Sequence, residues 1–336
     1  MARHWIASEW GSPEGWEFVE YAPTKPGPGE VTISVRAAGV NPADAKHVAA
    51  PRTGQQLPVA IGYEVAGTVV AVGPGTTAVT GPVAIGDEVL AFRVRGGYAT
   101  ELTVPAEKVL HRPPSLDVEE GANLLLAGTT AAEMLHAVGA TAGETLLLHG
   151  ASGAVGSIVL QLAALRGITV IGTASEARAE DVRALGGTPV RYGPGLQERV
   201  EEAVRSLKRA GVDAALDAAG TDEAVEVSLS LVSDRQRIVT VAAPRQAEEH
   251  GFQALAGTKP ESGTFRDAAR EDLVTLAGRG LLRVPLSRSY PLSEAPKAHR
   301  FLSTGHPGGK LTLVPGLESD VTEAHTESHE RAGSDL

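Results

Sequence analysis

Apolar and polar side chains alternate from Val31 to Arg36, which places every second residue on one face of an extended strand. Glu64–Val72 and Gly86–Phe92 read as further strands, punctuated by the turn-forming Gly73-Pro74-Gly75 and Gly81-Pro82. Short strands spaced in this way up to about residue 115 predict a barrel or sandwich. From Asp117 the pattern changes. Val118–Ala127 leads into a helix around Thr130–Ala137, followed by strand Thr145–His149, helix Ala154–Arg166, strand Thr169–Thr173 and helix Arg178–Leu185. Pro189–Tyr192, Asp213–Asp217 and Arg237–Val241 follow as strands, with helices Leu196–Arg209 and Asp222–Leu231 between them. That alternation predicts βαβ units and a parallel sheet. After Pro244 the pattern loosens, and Gly251–Gly263 reads as an exposed loop. A helix over Phe265–Ala277, a strand near Leu282–Val284, a helix over Ser293–Leu302 and a strand over Lys310–Val314 complete the reading.

Composition narrows what this architecture can do. A chain of 336 residues is long enough for two domains with a cleft between them. The net charge of −11 disfavours nucleic acid and anionic membrane surfaces as partners, because both would repel it on average. There is no cysteine, which excludes disulfides, thiolate nucleophiles, iron–sulfur clusters and cysteine-built zinc sites. Met1–Gly15 has no signal-like apolar core, and no apolar run approaches the roughly 20 residues that cross a bilayer. A cytoplasmic protein is expected. The stretch from Gly316 onward holds six acids and one arginine and is expected to be disordered.

The segment Leu146-Leu147-Leu148-His149-Gly150-Ala151-Ser152-Gly153-Ala154-Val155-Gly156 is the most informative. A strand runs into three glycines spaced by three, and a helix opens behind them. Such a turn lets a pyrophosphate approach the N–H groups at a helix N-terminus, so Gly150, Ser152, Gly153, Ala154, Val155 and Gly156 are candidate dinucleotide contacts. An NAD site usually carries an acid at the end of the next strand, about 20 residues on. Ala174 takes that place here. Ser175 and Arg178 could meet a 2′-phosphate, which points to NADPH; Glu176 is the competing candidate and would favour NADH. Ser152 lacks the second glycine of a nucleophile elbow. His149 ends an apolar strand and reads as a packed residue, and His325 and His329 lie in the acidic tail, so no metal site is expected.

With these residues in view, the chain resembles the zinc-free, quinone oxidoreductase-like branch of the medium-chain dehydrogenase/reductase superfamily. The motifs are Ala38-Gly39-Val40-Asn41-Pro42-Ala43-Asp44, Gly62-Tyr63-Glu64-Val65-Ala66-Gly67, Gly86-Asp87-Glu88-Val89, Gly97-Tyr98-Ala99, Gly128-Thr129-Thr130-Ala131 and Gly309-Lys310. The resemblance implies an α/β fold: a GroES-like β-barrel domain (1–120), a Rossmann domain with a doubly wound parallel sheet (121–265), a segment returning to the first domain (266–315) and a tail (316–336). It also implies a homodimer joined through the Rossmann sheets. Tyr63 stands where the zinc enzymes of the superfamily place a metal-binding histidine, and tyrosine is a poor zinc ligand.

By the same resemblance Asn41 lies near nicotinamide and acceptor, while Thr130 and Lys310 approach the cofactor and Tyr192 could flank its adenosine end; Lys310 could equally be a solvated surface lysine, and Tyr192 could simply finish a strand. Asn41 could equally cap the local turn beside Pro42, and Thr130 could equally cap a helix. Lys46 and His47 occupy the stretch where many members carry a tyrosine, and either could donate a proton or merely be exposed. The expected function is NADPH-dependent hydride transfer to a small electrophilic acceptor such as a quinone. The alternatives are an ene-reductase acting on α,β-unsaturated carbonyls or enoyl thioesters, and a non-catalytic NADPH sensor.

Overall fold

The computed structural model of the chain describes residues 1–257, 259–304 and 307–318. The expected disorder of the tail, with His325 and His329, lies outside the described residues beyond 318. The first part comprises β1 (Ala2–Ala7), β2 (Trp16–Tyr21), β3 (Glu30–Val40), α1 (Pro42–Lys46), β4 (Val59–Ala60), β5 (Glu64–Val72), β6 (Thr77–Ala78), β7 (Gly81–Pro82), β8 (Glu88–Phe92), β9 (Glu101–Pro105) and β10 (Val109–His111). The alternation in β3 has the consequence it predicts: Val31, Ile33 and Val35 are buried in one cluster with Val65, Val69, Val89 and Ala91.

The middle of the chain holds α2 (Val118–Ala122), α3 (Leu124–Ala137), β11 (Thr145–His149), α4 (Ala154–Leu165), β12 (Thr169–Ala174), α5 (Ala179–Ala184), β13 (Thr188–Arg191), α6 (Leu196–Ser206), β14 (Ala214–Asp217), α7 (Asp222–Leu231), β15 (Ile238–Thr240), α8 (Pro244–His250) and β16 (Gln253–Ala254). Its strands form one parallel sheet in the order β13-β12-β11-β14-β15-β16. The order reverses direction beside β11, where open parallel sheets bind their ligands at the carboxyl ends of the strands.

Then come α9 (Pro260–Gly278), β17 (Leu286–Pro291), α10 (Ala295–Ser303) and β18 (Lys310–Val314). β18 pairs parallel to β17 and antiparallel to β3, completing a barrel-type sheet in the order β10-β8-β5-β3-β18-β17, with β9 also on β3. The fold is therefore a GroES-like β domain joined to a Rossmann domain. α9 packs its Leu273, Val274 and Ala277 into the cluster that holds α3 and α4.

Three of the predicted elements differ from the sequence reading, and β1, β2 and α8 have no counterpart in it. α3 begins at Leu124 rather than near Thr130, so Thr130 lies inside the helix and is not a cap. Residues 251–263 are not one loop: Gln253–Ala254 adds a strand to the parallel sheet, and α9 starts at Pro260, whose fixed φ suits a first helical turn. The strand expected near Leu282–Val284 is displaced to Leu286–Pro291, while Leu282 and Val284 are buried core residues outside any strand.

Candidate active site

The site has two parts, one built of backbone and one of side chains. In the first, β11 delivers the chain to Gly150, which turns at φ +75°, a left-handed conformation that suits glycine. A Cβ on Gly156 would lie 2.2 Å from the Gly150 carbonyl oxygen and 2.7 Å from Ala151 Cα, so only glycine lets α4 settle this close to the turn. Gly150 N–H donates to Thr173 Oγ1 at 3.1 Å, and Ala151 N–H donates to the Thr173 carbonyl at 3.0 Å, which pins the turn to β12. α4 opens after Gly153 with no side-chain cap and no acid in its first turn. Its first-turn N–H groups, at Ala154, Val155 and Gly156, are therefore left for an anion, beside the exposed Gly153 and the half-buried Ser152.

Ala174 closes β12. Beyond it Ser175, Glu176, Arg183 and Arg191 line a cavity of about 420 Å³. Arg178 is not among its lining residues. Its guanidinium lies 2.7 Å from Asp181 Oδ2 and donates to the Gly308 carbonyl at 2.7 Å. Tyr192 is exposed just past the end of β13 and does not line the cavity either.

In the second part, the turn between β3 and α1 and the first residues of β5 and β18 each contribute one polar side chain to a buried cluster. Lys310 opens β18 and is only 3% exposed. Its Nζ donates to the Val40 carbonyl at 3.2 Å, to Glu64 Oε1 at 3.2 Å and to Asn41 Oδ1. Asn41 Nδ2 donates to the same Glu64 oxygen at 2.9 Å, and Glu64 Oε2 accepts the Leu126 N–H at 2.8 Å. Gly39 is needed for this packing, since a Cβ there would stand 2.8 Å from Glu64 Oε1 and 2.3 Å from the Ala122 carbonyl. Asn41 and Lys310 are thus held against each other, each engaged within the protein.

Behind Asn41, Asp44 Oδ2 accepts the Asn41 N–H at 2.8 Å and the Tyr98 hydroxyl at 2.9 Å. Tyr98 Oη lies 3.0 Å from His299 Nε2. Burial raises the Asp44 carboxyl to about 7, against the opposing pull of the bonds from Tyr98 and the Asn41 N–H. Burial also pushes the Tyr98 phenol well above its ordinary value and lowers His299 to about 4.

Lys46 is exposed at the end of α1, and its carbonyl accepts from Arg52 Nη2 at 2.9 Å. His47 is half-buried and meets Tyr63 edge-on, with ring centroids 4.6 Å apart. Burial, Arg52 and Arg95 lower His47 to about 4, so it is a neutral imidazole at pH 7. Thr130 is buried, and its hydroxyl donates to the Leu126 carbonyl at 2.7 Å. α3 thereby ties the two parts together: Leu126 binds Glu64 near its start, and its buried residues share a cluster with those of α4. His149 is buried with Nε2 3.1 Å from Ser228 Oγ, and burial lowers it to about 4, which makes it a packed neutral residue.

Sequence reasoning gave no role to Glu64, Tyr98, His299, Arg183 or Arg191. A signal for Glu64 and Lys310 did exist. Each opens an otherwise apolar strand, and a charge there needs a partner.

Comparison with known proteins agrees with this architecture. Residues 27–114 match the alcohol dehydrogenase GroES-like domain, and residues 195–313 match a domain described as zinc-binding dehydrogenase. The chain is 31% identical over 329 residues to a 2-haloacrylate reductase from Burkholderia sp, covering 91% of this chain and 96% of the relative. It is 30% identical over 333 residues to a quinone oxidoreductase from Pseudomonas aeruginosa, covering 94% and 100%. A mycobacterial protein solved in complex with NADPH superposes with a TM-score of 0.78 at 26% identity, over 94% of this chain and 100% of that one. The chain belongs to the quinone oxidoreductase-like branch of the medium-chain dehydrogenase/reductase superfamily.

Proposed function

We propose that the protein is a zinc-independent reductase that passes a hydride from NADPH to a small electrophilic acceptor of the quinone class. The observation that carries this reading is the uncapped N-terminus of α4 beside Gly150 and Gly156, a cradle that any larger side chain would fill. Support for NADPH comes from Ala174 in place of an acid, from Ser175, Arg183 and Arg191 around the adjoining cavity, and from the relative solved with NADPH. Glu176 lines the same cavity and is the reason to measure NADH in parallel.

The residues present do not fit zinc, despite the description of the matched domain. The chain has no cysteine, and Tyr63 packs against His47. Glu64, the acid of that motif, already holds the Lys310 ammonium, whose charge would repel a dication. Among the described residues no group of three or more His, Cys, Asp or Glu is arranged to hold a metal ion.

When bound, the nicotinamide would supply the hydride. The first turn of α4 binds the pyrophosphate, and Ser175 with Arg183 and Arg191 holds the 2′-phosphate. The Lys310–Asn41–Glu64 cluster is a charge-neutral ion pair bridged by an amide, and it keeps the Asn41 turn rigid beneath the site where charge develops on a reduced acceptor. A quinone needs no metal to polarise it, so positioning and exclusion of water are the protein's main contributions. We read the molecule as a cytoplasmic homodimer joined through its parallel sheets; among the described residues no helix is long and apolar enough to cross a membrane.

A second reading, reduction of an activated carbon–carbon double bond, is favoured by the 31% identity to a 2-haloacrylate reductase. The test is loss of NADPH or NADH absorbance with benzoquinone, phenanthrenequinone, hexenal, 2-chloroacrylate and crotonyl-CoA. Quinone-dependent oxidation preferring NADPH is expected. Turnover confined to the unsaturated acids, aldehydes or thioesters would replace the first reading with the second. Tight NADPH binding with no turnover at all would mark a sensor.

A further inference from the structure

Asp44 is buried, yet two side chains link it to a cavity. Its Oδ2 accepts from Tyr98, and Tyr98 Oη lies 3.0 Å from His299 Nε2. His299 in turn lines a cavity of about 380 Å³ beside α10, together with Ser12, Glu14, Pro42, Ala45 and Arg300. That cavity shares no lining residue with the glycine cradle or with the cavity at the end of β12. All three members of the chain are buried, and they come from α1, from the turn before β9 and from α10.

We propose that His299, Tyr98 and Asp44 form a proton relay that joins the cavity beside α10 to the turn carrying Asn41. Its chemistry follows from donors and acceptors. With Asp44 ionised, Tyr98 O–H donates to Oδ2, and Tyr98 Oη can accept only from a ring that carries its proton on Nε2. When a proton enters from the cavity at His299 Nδ1, the Nε2 proton passes to Tyr98 and the Tyr98 proton passes to Asp44. The products are a neutral carboxyl, an intact phenol and a histidine protonated on Nδ1. One proton has been taken up and no electrons have moved.

Protonation on Oδ2 is selected because Oδ1 is buried without a partner, so an Oδ1–H would find no acceptor, whereas Oδ2–H donates to Tyr98. The charged and titratable groups facing Asp44 are Tyr98, Lys310 of β18 and Glu64 of β5; Glu14 faces His299 and is paired with Arg300. Tyr98 and His299 are positioning residues for Asp44. A reduction by hydride consumes one proton, and this path brings one to the Asn41 turn by a route separate from the cofactor cradle.

The relay makes an equilibrium prediction that needs no turnover. In protein with isotopically labelled histidine nitrogens, NMR should show His299 changing from the Nε2–H to the Nδ1–H tautomer as pH falls through about 7. The ring should remain neutral until about 4. The protonated-carboxyl infrared band of Asp44 should grow over the same range. Asp44→Asn should lock the tautomer of the neutral ring at every pH above about 4, and Tyr98→Phe should let the carboxyl band titrate while the ring no longer responds over that range. A wild-type ring that keeps one tautomer across the range would overturn the relay, as would a tautomer change that survives Tyr98→Phe. Should Tyr98→Phe fail to fold, the wild type and Asp44→Asn still decide the matter. Acceptor assays play no part, so failure here is distinct from failure of the proposed function.

Discussion

The glycine cradle and the Lys310 cluster, which we propose serve one site, are built by opposite means. The cradle works through what it lacks: no Cβ at Gly156, no cap on α4 and no acid in the first turn. It faces outward and leaves its donors free. The cluster works through what it contains, and its lysine, asparagine and glutamate satisfy one another out of contact with water. A binding surface for a charged ligand must keep its hydrogen-bonding capacity unspent, whereas a scaffold beneath a reacting centre must have none to spare.

This contrast can be broken most forcefully at Lys310. Lys310→Met leaves Glu64 buried without its cation, and urea unfolding should show a loss of about 3–5 kcal/mol. Adding Glu64→Gln should recover part of that loss. A single-variant cost below about 1 kcal/mol would mean that the cluster is not held by charge. At the cradle, Gly156→Val should cost about 1–3 kcal/mol by overpacking against Gly150 and Ala151. It should also weaken NADPH binding about a hundredfold by fluorescence titration, as expected when the helix end no longer meets the phosphates. Retained affinity would place the dinucleotide elsewhere.

The smallest effect sharpens the edge of the cradle. Arg183→Ala combined with Arg191→Ala should raise the dissociation constant for NADPH about tenfold, the order of one charge-assisted hydrogen bond, and leave NADH unchanged. If Arg178→Ala alone produces that loss, the guanidinium leaves Gly308 to meet the phosphate.

The same contrast explains what could be read in advance. The cradle was legible because spacing alone encodes a shape that only glycine permits, and β18 because Lys310–Val314 follows Gly308-Gly309 as a compact apolar run. The beginning of α3 was not, since the helix is buried on nearly all sides and Leu124-Leu125-Leu126 shows no periodicity. α9 concealed its inward face because that face carries Arg266 and Arg270; Arg266 Nε lies 2.7 Å from Glu133 Oε2 on α3. β17 reads as polar because its first three residues are exposed, while the apolar Leu282 and Val284 before it are buried without pairing. Tyr98 and His299 stand 201 residues apart in the chain, and no local pattern announces such a meeting. Arg178 lies close to the end of β12 in sequence, but its partners are Asp181 and Gly308.

The insertion of β18 between β3 and β17 also sets the order in which the protein can be assembled. Leu311 pairs with Val40, and Lys310 meets Asn41 across 269 positions of sequence. On a ribosome the parallel sheet emerges entire before that strand exists, so the half built on that sheet can condense first and hold the intervening chain compact. A long loop whose middle has already folded is cheaper to close than a flexible one of equal length, and closure is then a docking event instead of a search. Until β18 arrives, the end of β3 at Ala38–Val40 presents an open edge and Glu64 has no cation. Nascent chains stalled before residue 310 are therefore the species in which this protein is most exposed to strand-edge association.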